Sequence, residues 1–263
     1  MSQIRYTQKE LEQAKEYLRQ RIRNEQSMTL DVERLLDEYA GYLLHAMFNG
    51  ASRSDIELLI EDLIERIMED CRMLAIDEHD DDDEAVALVF GEGEDSVEER
   101  VRNRARTFLD ELMVAYTAAE ILQMDEQTLL ASVKENMEHP WDNEAISEVR
   151  GMIERGEVAG DIEDYEERHY GRGIPTSSKV GLEMITVSAV ADMWNESDWR
   201  TASALGAKGY YVERGSSWPC EECNSHTGIL YPIDDREHIP QYHRNCRCFV
   251  VYCYDKADMD GII

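Results

Sequence analysis

"CEECNSHTGILYPIDDREHIPQYHRNCRC", residues 220–248, holds four of the chain's six cysteines and three of its seven histidines. Cys220 and Cys223 form a CxxC pair, and His243, Cys246 and Cys248 then form HxxCxC. Two tight-turn pairs brought together by a hairpin supply the four nitrogen or sulfur ligands of a tetrahedral zinc site. Five candidates compete for the four places. His243 with Cys246 makes the natural second pair, while Cys248, two residues on, shares a strand side with Cys246, so the spacing leaves the excluded residue open. Physical need points the same way. A segment of about 45 residues is short for a core alone to secure, and a structural zinc contributes on the order of 10 kcal/mol to folding.

The residues between and beyond the pairs read differently. His226 and His238 read as surface or loop residues, and Cys253, in "VVYCY", as a strand thiol. A catalytic zinc of the deaminase kind would pair "PCEEC" with an upstream His-x-Glu, and that motif occurs nowhere in the chain. With cysteine and histidine filling every place, the expected site is closed and structural. No catalytic residue is assigned.

Outward from this stretch, "GYYVERG", "GILYPI" and "CRCFVVYCY" are aromatic and β-branched, which predicts three short strands. Upstream the signals are helical. Thr7 with Glu10, Ser54 with Glu57 and Ser96 with Glu99 fit the capping box, and apolar residues follow at helical spacing: Leu11, Ala14, Leu18 and Ile22 after the first, Ile56 to Leu74 after the second. Cys71 lies on the second stripe as a core thiol. Further helices are expected from about Leu30 to Phe48, from Ser96 to about Leu122, from near Asp125 to before Pro140, over roughly 143–155, and from about Ser178 to Ala204. "DEHDDDDEA", residues 77–85, lacks the glycine turn and terminal glutamate of a calcium loop and reads as a solvated acidic loop. Arg100, Arg102, Arg104 and Arg106 point several ways on a helix and are expected to pair with neighbouring acids.

The expected architecture is a mainly α N-terminal region, a helical bundle or array, followed by a small zinc-stabilised α+β domain with a short antiparallel sheet. Its boundaries are an acidic helical region at 1–170, a linker or hinge at 171–181, and a helix plus small β zinc module at 182–263. Charge divides unevenly as well. Residues 1–207 carry 48 acids against 21 bases and residues 208–254 carry 6 against 5, within a formal net charge of −30. Such a field repels phosphate backbones, which argues against direct nucleic-acid binding. No apolar run reaches the ~18 residues of a membrane span, and the start lacks a signal peptide's apolar stretch, so a reducing cytoplasm is expected and metal ligation is favoured over disulfides.

One family combines these features. A helix, an aromatic strand, Cys220 and Cys223, then Gly228, Tyr231 and Pro232, then His243, Cys246, Arg247 and Cys248, resembles the C-terminal domain of the phage Mu F-like head morphogenesis proteins, also called minor head or minor capsid proteins. The likeness covers roughly residues 180–254. Arg244 stands where that family usually has proline, and Gln241 and Tyr242 replace a common Pro-Leu pair, changes that alter the turn and leave the candidate ligands intact. The resemblance implies a non-enzymatic virion protein, in few copies inside the head near the portal, built in the host cytoplasm and touching portal, major capsid or scaffold proteins. Oligomeric assembly in the virion is expected with it. Two alternatives from other classes are a zinc-dependent hydrolase or injected effector carried in the head, and an acidic DNA mimic that inhibits a nucleic-acid enzyme.

Overall fold

A computed structural model of the chain describes residues 6–75, 83–91, 93, 96–138, 176–217, 220–242 and 246–254. Its first helix, α1 (Gln8–Phe48), opens on the expected capping box: the Thr7 amide donates to Glu10 Oε2 at 2.6 Å and the Glu10 amide to Thr7 Oγ1 at 3.2 Å. The sequence suggests two helices here, and the structure has one. Leu18, Arg21, Glu25, Met28, Val32, Leu35 and Tyr39 are all buried, in alternating steps of three and four, so one stripe crosses the expected gap without a phase change. The helix stops at "NG", where Gly50 takes φ 70° and the Gly50 and Ala51 amides close on Met47 and Ala46 carbonyls.

Two boundaries shift for local reasons. The box of α2 (Arg53–Ala75) is Ser52 with Asp55, not Ser54 with Glu57; Ser52 Oγ donates to Asp55 Oδ2 at 2.7 Å, while Glu57 pairs with Arg53 one turn away. Helix α3 (Asp83–Phe90) takes up residues 83–85 of the expected acidic loop, because "AVALVF" buries Ala85 and Phe90; the rest of that loop, to residue 82, lies outside the described residues.

Helix α4 (Val97–Leu122) starts at Ser96, whose Oγ accepts from the Glu99 amide at 3.1 Å, and α5 (Glu126–Glu138) starts at Asp125, which accepts from the Thr128 amide at 2.8 Å. The helix expected over 143–155 lies outside the described residues. Helix α6 (Thr176–Ala204) begins within the stretch expected to act as a hinge, whose residues 171–175 also lie outside. Strand β1 (Gly209–Arg214), the short helix α7 (Glu221–His226), strand β2 (Leu230–Pro232) and strand β3 (Cys248–Cys253) follow. The sheet is antiparallel in the order β2-β1-β3. Mainly helical N-terminal elements followed by a small sheet agree with the architecture expected from sequence.

The chain forms two compact units, each assembled from separate stretches. The unit made of residues 29–70 and 93–185 is helical. Tyr39, Leu43, Leu63, Ile67, Phe108 and Leu112 are buried in it, and Tyr39 donates to the Asp62 carboxylate. Arg102 pairs with Glu61, Glu98 and Glu99, as expected for the arginine run. The buried Lys179 ammonium donates to Glu33 at 2.7 Å and to the Met137 carbonyl at 2.9 Å. Ser96→Ala removes the hydroxyl that satisfies a first-turn amide of α4 and is expected to cost about 1 kcal/mol of stability, read as a lowered urea midpoint at unchanged slope.

The other unit, residues 1–28, 71–92 and 186–263, carries the sheet. Period-two alternation gives its strands two apolar faces. Tyr210, Val212, Val250 and Tyr252 pack with Ala202, Trp199 and the cysteines, while Phe249 and Val251 pack with Leu18 and its α1 neighbours Leu11, Ala14 and Ile22. Tyr6 seals the second face, its ring edge-on to Tyr211 at 5.6 Å and its hydroxyl donating to Glu213 at 2.7 Å. Cys71 is buried and donates to the Thr186 carbonyl, the core role expected of it.

Candidate metal centre

Cys220 caps α7, its Sγ 3.5 Å from the Cys223 amide, and the acidic pair Glu221–Glu222 fills the helix's first turn. This short helix was not foreseen in the CxxC stretch; a capping sulfur followed by two acids was its signal. It aims Cys223 inward, 3% exposed, from one side of the sheet. Gly228, at φ 75°, then turns the chain into β2, its amide held by the Val212 carbonyl at 2.8 Å.

Strand β3 delivers the other side. Cys246 and Cys248 are buried, and their sulfurs and that of Cys223 all lie within 4.8 Å of one another, with Cys223 Sγ 3.9 Å from Cys246 Sγ. All six cysteines are free thiols. Three buried sulfurs at these separations could hold one metal ion. Both Cys246 and Cys248 therefore reach the site, while Cys220 sits beside Cys223 outside the close trio, and His243 lies outside the described residues. Cys253 is a buried strand residue, as expected.

The three thiols are not electrostatically equal. The Cys248 thiol donates to Cys246, and backbone groups of Tyr242 and Cys248 add to it, so Cys246 is held well below the usual thiol range. Burial pushes Cys223 up, and the bond to Cys246 together with burial pushes Cys248 up.

The charged residues that frame the trio come from far away in sequence. Arg21, 2% exposed, reaches from α1 to place Nη2 3.4 Å from both the Cys246 and Cys248 carbonyls and Nη1 2.8 Å from Asn195 Oδ1. Glu25, one turn on and 4% exposed, lies 3.1 Å from Arg21 Nε in an ion pair whose angle is poor for a hydrogen bond, and accepts from Arg247 through its other oxygen. Arg247 thus makes a structural ion pair, and its carbonyl accepts from the Gly215 amide at 2.8 Å. Asp198 also feels Arg21, although burial is the stronger influence and pushes its carboxyl up to about 7.

His226 and His238 stand apart from the sulfur trio. His226 stacks on Tyr242 at 4.1 Å and His238 on Tyr231 at 4.4 Å, with Asp235 fixing His238 Nδ1 at 2.9 Å. They are half-buried members of an aromatic stack instead of free loop residues, which sequence spacing does not reveal. The loop carrying them is tied to α6: Trp199 Nε1 donates to the Ile233 carbonyl at 2.8 Å, and Arg236 covers Trp199 at 4.3 Å while pairing with the buried Glu196. Among the described residues, no helix is long and apolar enough to cross a membrane. No family model, curated protein or solved structure matches the chain.

Proposed function

We propose that this chain is a non-enzymatic minor head protein of a phage, acting in head morphogenesis near the portal, with a structural zinc in its C-terminal module. The observation that carries the reading is the meeting of Cys223, Cys246 and Cys248 at one buried point, in the chain order of the Mu F-like resemblance. Zinc suits the donor set. Zn–S bonds of about 2.3 Å in a tetrahedron place sulfurs roughly 3.8 Å apart, and Cys223 and Cys246 stand at 3.9 Å. Cys220 or His243 supplies the fourth ligand. The ion closes the CxxC turn onto β3 and performs no reaction in this reading. Burial of all three close sulfurs favours it over the zinc-hydrolase alternative, which needs an open coordination position.

Portal, major capsid or scaffold proteins are the expected partners, through basic patches that complement a chain of net charge −30. Mass spectrometry of purified virions, with co-purification against the portal protein, tests the role. Recovery at a few copies per particle together with portal supports it; absence from virions and failure to bind portal or procapsid sinks it.

The uneven thiols make a second measurement informative. Metal binding requires thiolates, and Cys223 and Cys248 are held toward the protonated form while Cys246 is held toward the thiolate. Binding therefore displaces protons from Cys223 and Cys248, and a further one where Cys220 is the fourth ligand, so zinc affinity is expected to rise with pH by roughly a hundredfold or more per unit between pH 6 and 8. Calorimetry in buffers of different ionisation enthalpy counts those protons directly. A pH-independent affinity would contradict this arrangement of thiols.

A further inference from the structure

The group Arg21, Glu25 and Arg247 carries two positive charges and one negative, and Arg21 and Glu25 are almost wholly buried. Arg247, whose charge is the surplus one, is partly exposed, and a surplus charge beside two buried ones is costly unless something nearby balances it. Asp198 is only a partial balance, since its carboxyl titrates near neutrality. The thiols are the other source. Four cysteine thiolates on a divalent ion leave a net charge of about −2, and three with a histidine leave about −1. Arg21 lies against the carbonyls of both cysteines that β3 contributes, so the surplus charge sits where the centre's negative charge would be.

We propose that the Arg21–Glu25–Arg247 group is the counter-charge of a metal–thiolate centre, so that metal occupancy and the docking of the first turns of α1 onto the sheet are linked. This rests on the metal reading given above. Linkage is reciprocal: whatever factor docking adds to metal affinity, metal returns to docking. The positioning residue is Arg21, which touches the ligands' backbone and not the metal.

The test uses the full chain, with zinc affinity from competition against a chromophoric chelator and amide exchange of residues 8–28 with and without zinc. Arg21→Met is expected to weaken zinc binding tenfold to a hundredfold, the usual scale for partners that orient and balance metal ligands. Glu25→Gln, which makes the group more positive, is expected to leave the affinity equal or tighter. Arg19→Met, on the exposed side of the same helix, is expected to change nothing. In the wild type, zinc is expected to slow exchange over residues 8–28.

An affinity of Arg21→Met within twofold of wild type overturns the proposal. So does equal loss in Arg21→Met and Glu25→Gln, which marks damaged packing in place of charge balance, or exchange over 8–28 that ignores zinc. Should Arg21→Met fail to fold by circular dichroism, Arg21→Lys keeps the charge and decides: within threefold of wild type supports the proposal, a tenfold loss overturns it. If the wild type binds no zinc, both this proposal and the metal reading fall. If it binds zinc and the variants do not differ, only the linkage falls.

Discussion

Chelation of the purified protein at neutral pH is expected to unfold the C-terminal module while most of the helical signal survives. The size of the effect follows from comparing two terms. Structural zinc contributes on the order of 10 kcal/mol, and a whole domain's net stability is about 5–15 kcal/mol. Among the described residues the module's sheet has three strands, of six, three and six residues, so losing the ion removes a large share of what holds it together. Near-UV circular dichroism from Tyr210, Tyr231 and Tyr252, which pack around the sulfurs, should collapse, and chymotrypsin should gain sites in β1 and β3. Re-addition of zinc should restore both. The double variant Cys223→Ser, Cys246→Ser should match the chelated protein. Cys253→Ser, in the same strand but outside the trio, should keep the metal and lose only about 1–3 kcal/mol for burying a hydroxyl. The helical unit built on α4 and α5 contains none of the candidate ligands among its described residues and should melt independently of zinc. If metal analysis finds no zinc and the chelator leaves the tyrosine signal unchanged, the metal reading is wrong.

The same comparison shows what could be read in the chain. Runs such as "FVVY" and "GYYV" announce strands because aromatic and β-branched residues fit a pleated, buried surface, and β1 and β3 fall where those runs lie. The candidate metal centre was legible for a different reason: few roles need CxxC and CRC in one short stretch, and three of those sulfurs do meet. Arg21 and Glu25 were missed because a charged i,i+4 pair usually marks a solvated helix face. Yet both stand on the stripe that runs from Leu18 to Tyr39, and charges in apolar register were the available sign that they are buried. The continuity of α1 was hidden by the same two residues, since they interrupt the run of apolar types without interrupting its period. Joining residues 6–28 to the C-terminal module is a long-range pairing, and no local pattern encodes which distant surface a stripe will meet.

That pairing makes Gly215 the most exacting position on the module. A Cβ there would run into the Arg247 carbonyl on one side and the Leu18 side chain, at 2.5 Å, on the other. The carbonyl cannot retreat, because it belongs to the residue between Cys246 and Cys248 and already accepts from the Gly215 amide. Gly215→Ala is therefore expected to cost about 3 kcal/mol, the upper part of the overpacking range, and to weaken zinc binding by displacing the ligand segment. Gly181 is the control that separates sterics from residue type. Its added Cβ would meet Arg104 Cδ and Nε at 2.8 Å, atoms of a flexible side chain, and it lies within α6, where replacing glycine gains up to about 1 kcal/mol of helix propensity. Gly181→Ala should be near neutral and leave zinc untouched. Adding Leu18→Ala to Gly215→Ala removes one obstacle and leaves the carbonyl, so it should not restore stability; it should also lose the buried leucine's own contribution, about 2–5 kcal/mol. Thermal melts with chelator competition read all of these. A Gly215→Ala protein as stable as wild type, with unchanged zinc affinity, would mean that β1 does not run this close to the cysteine segment.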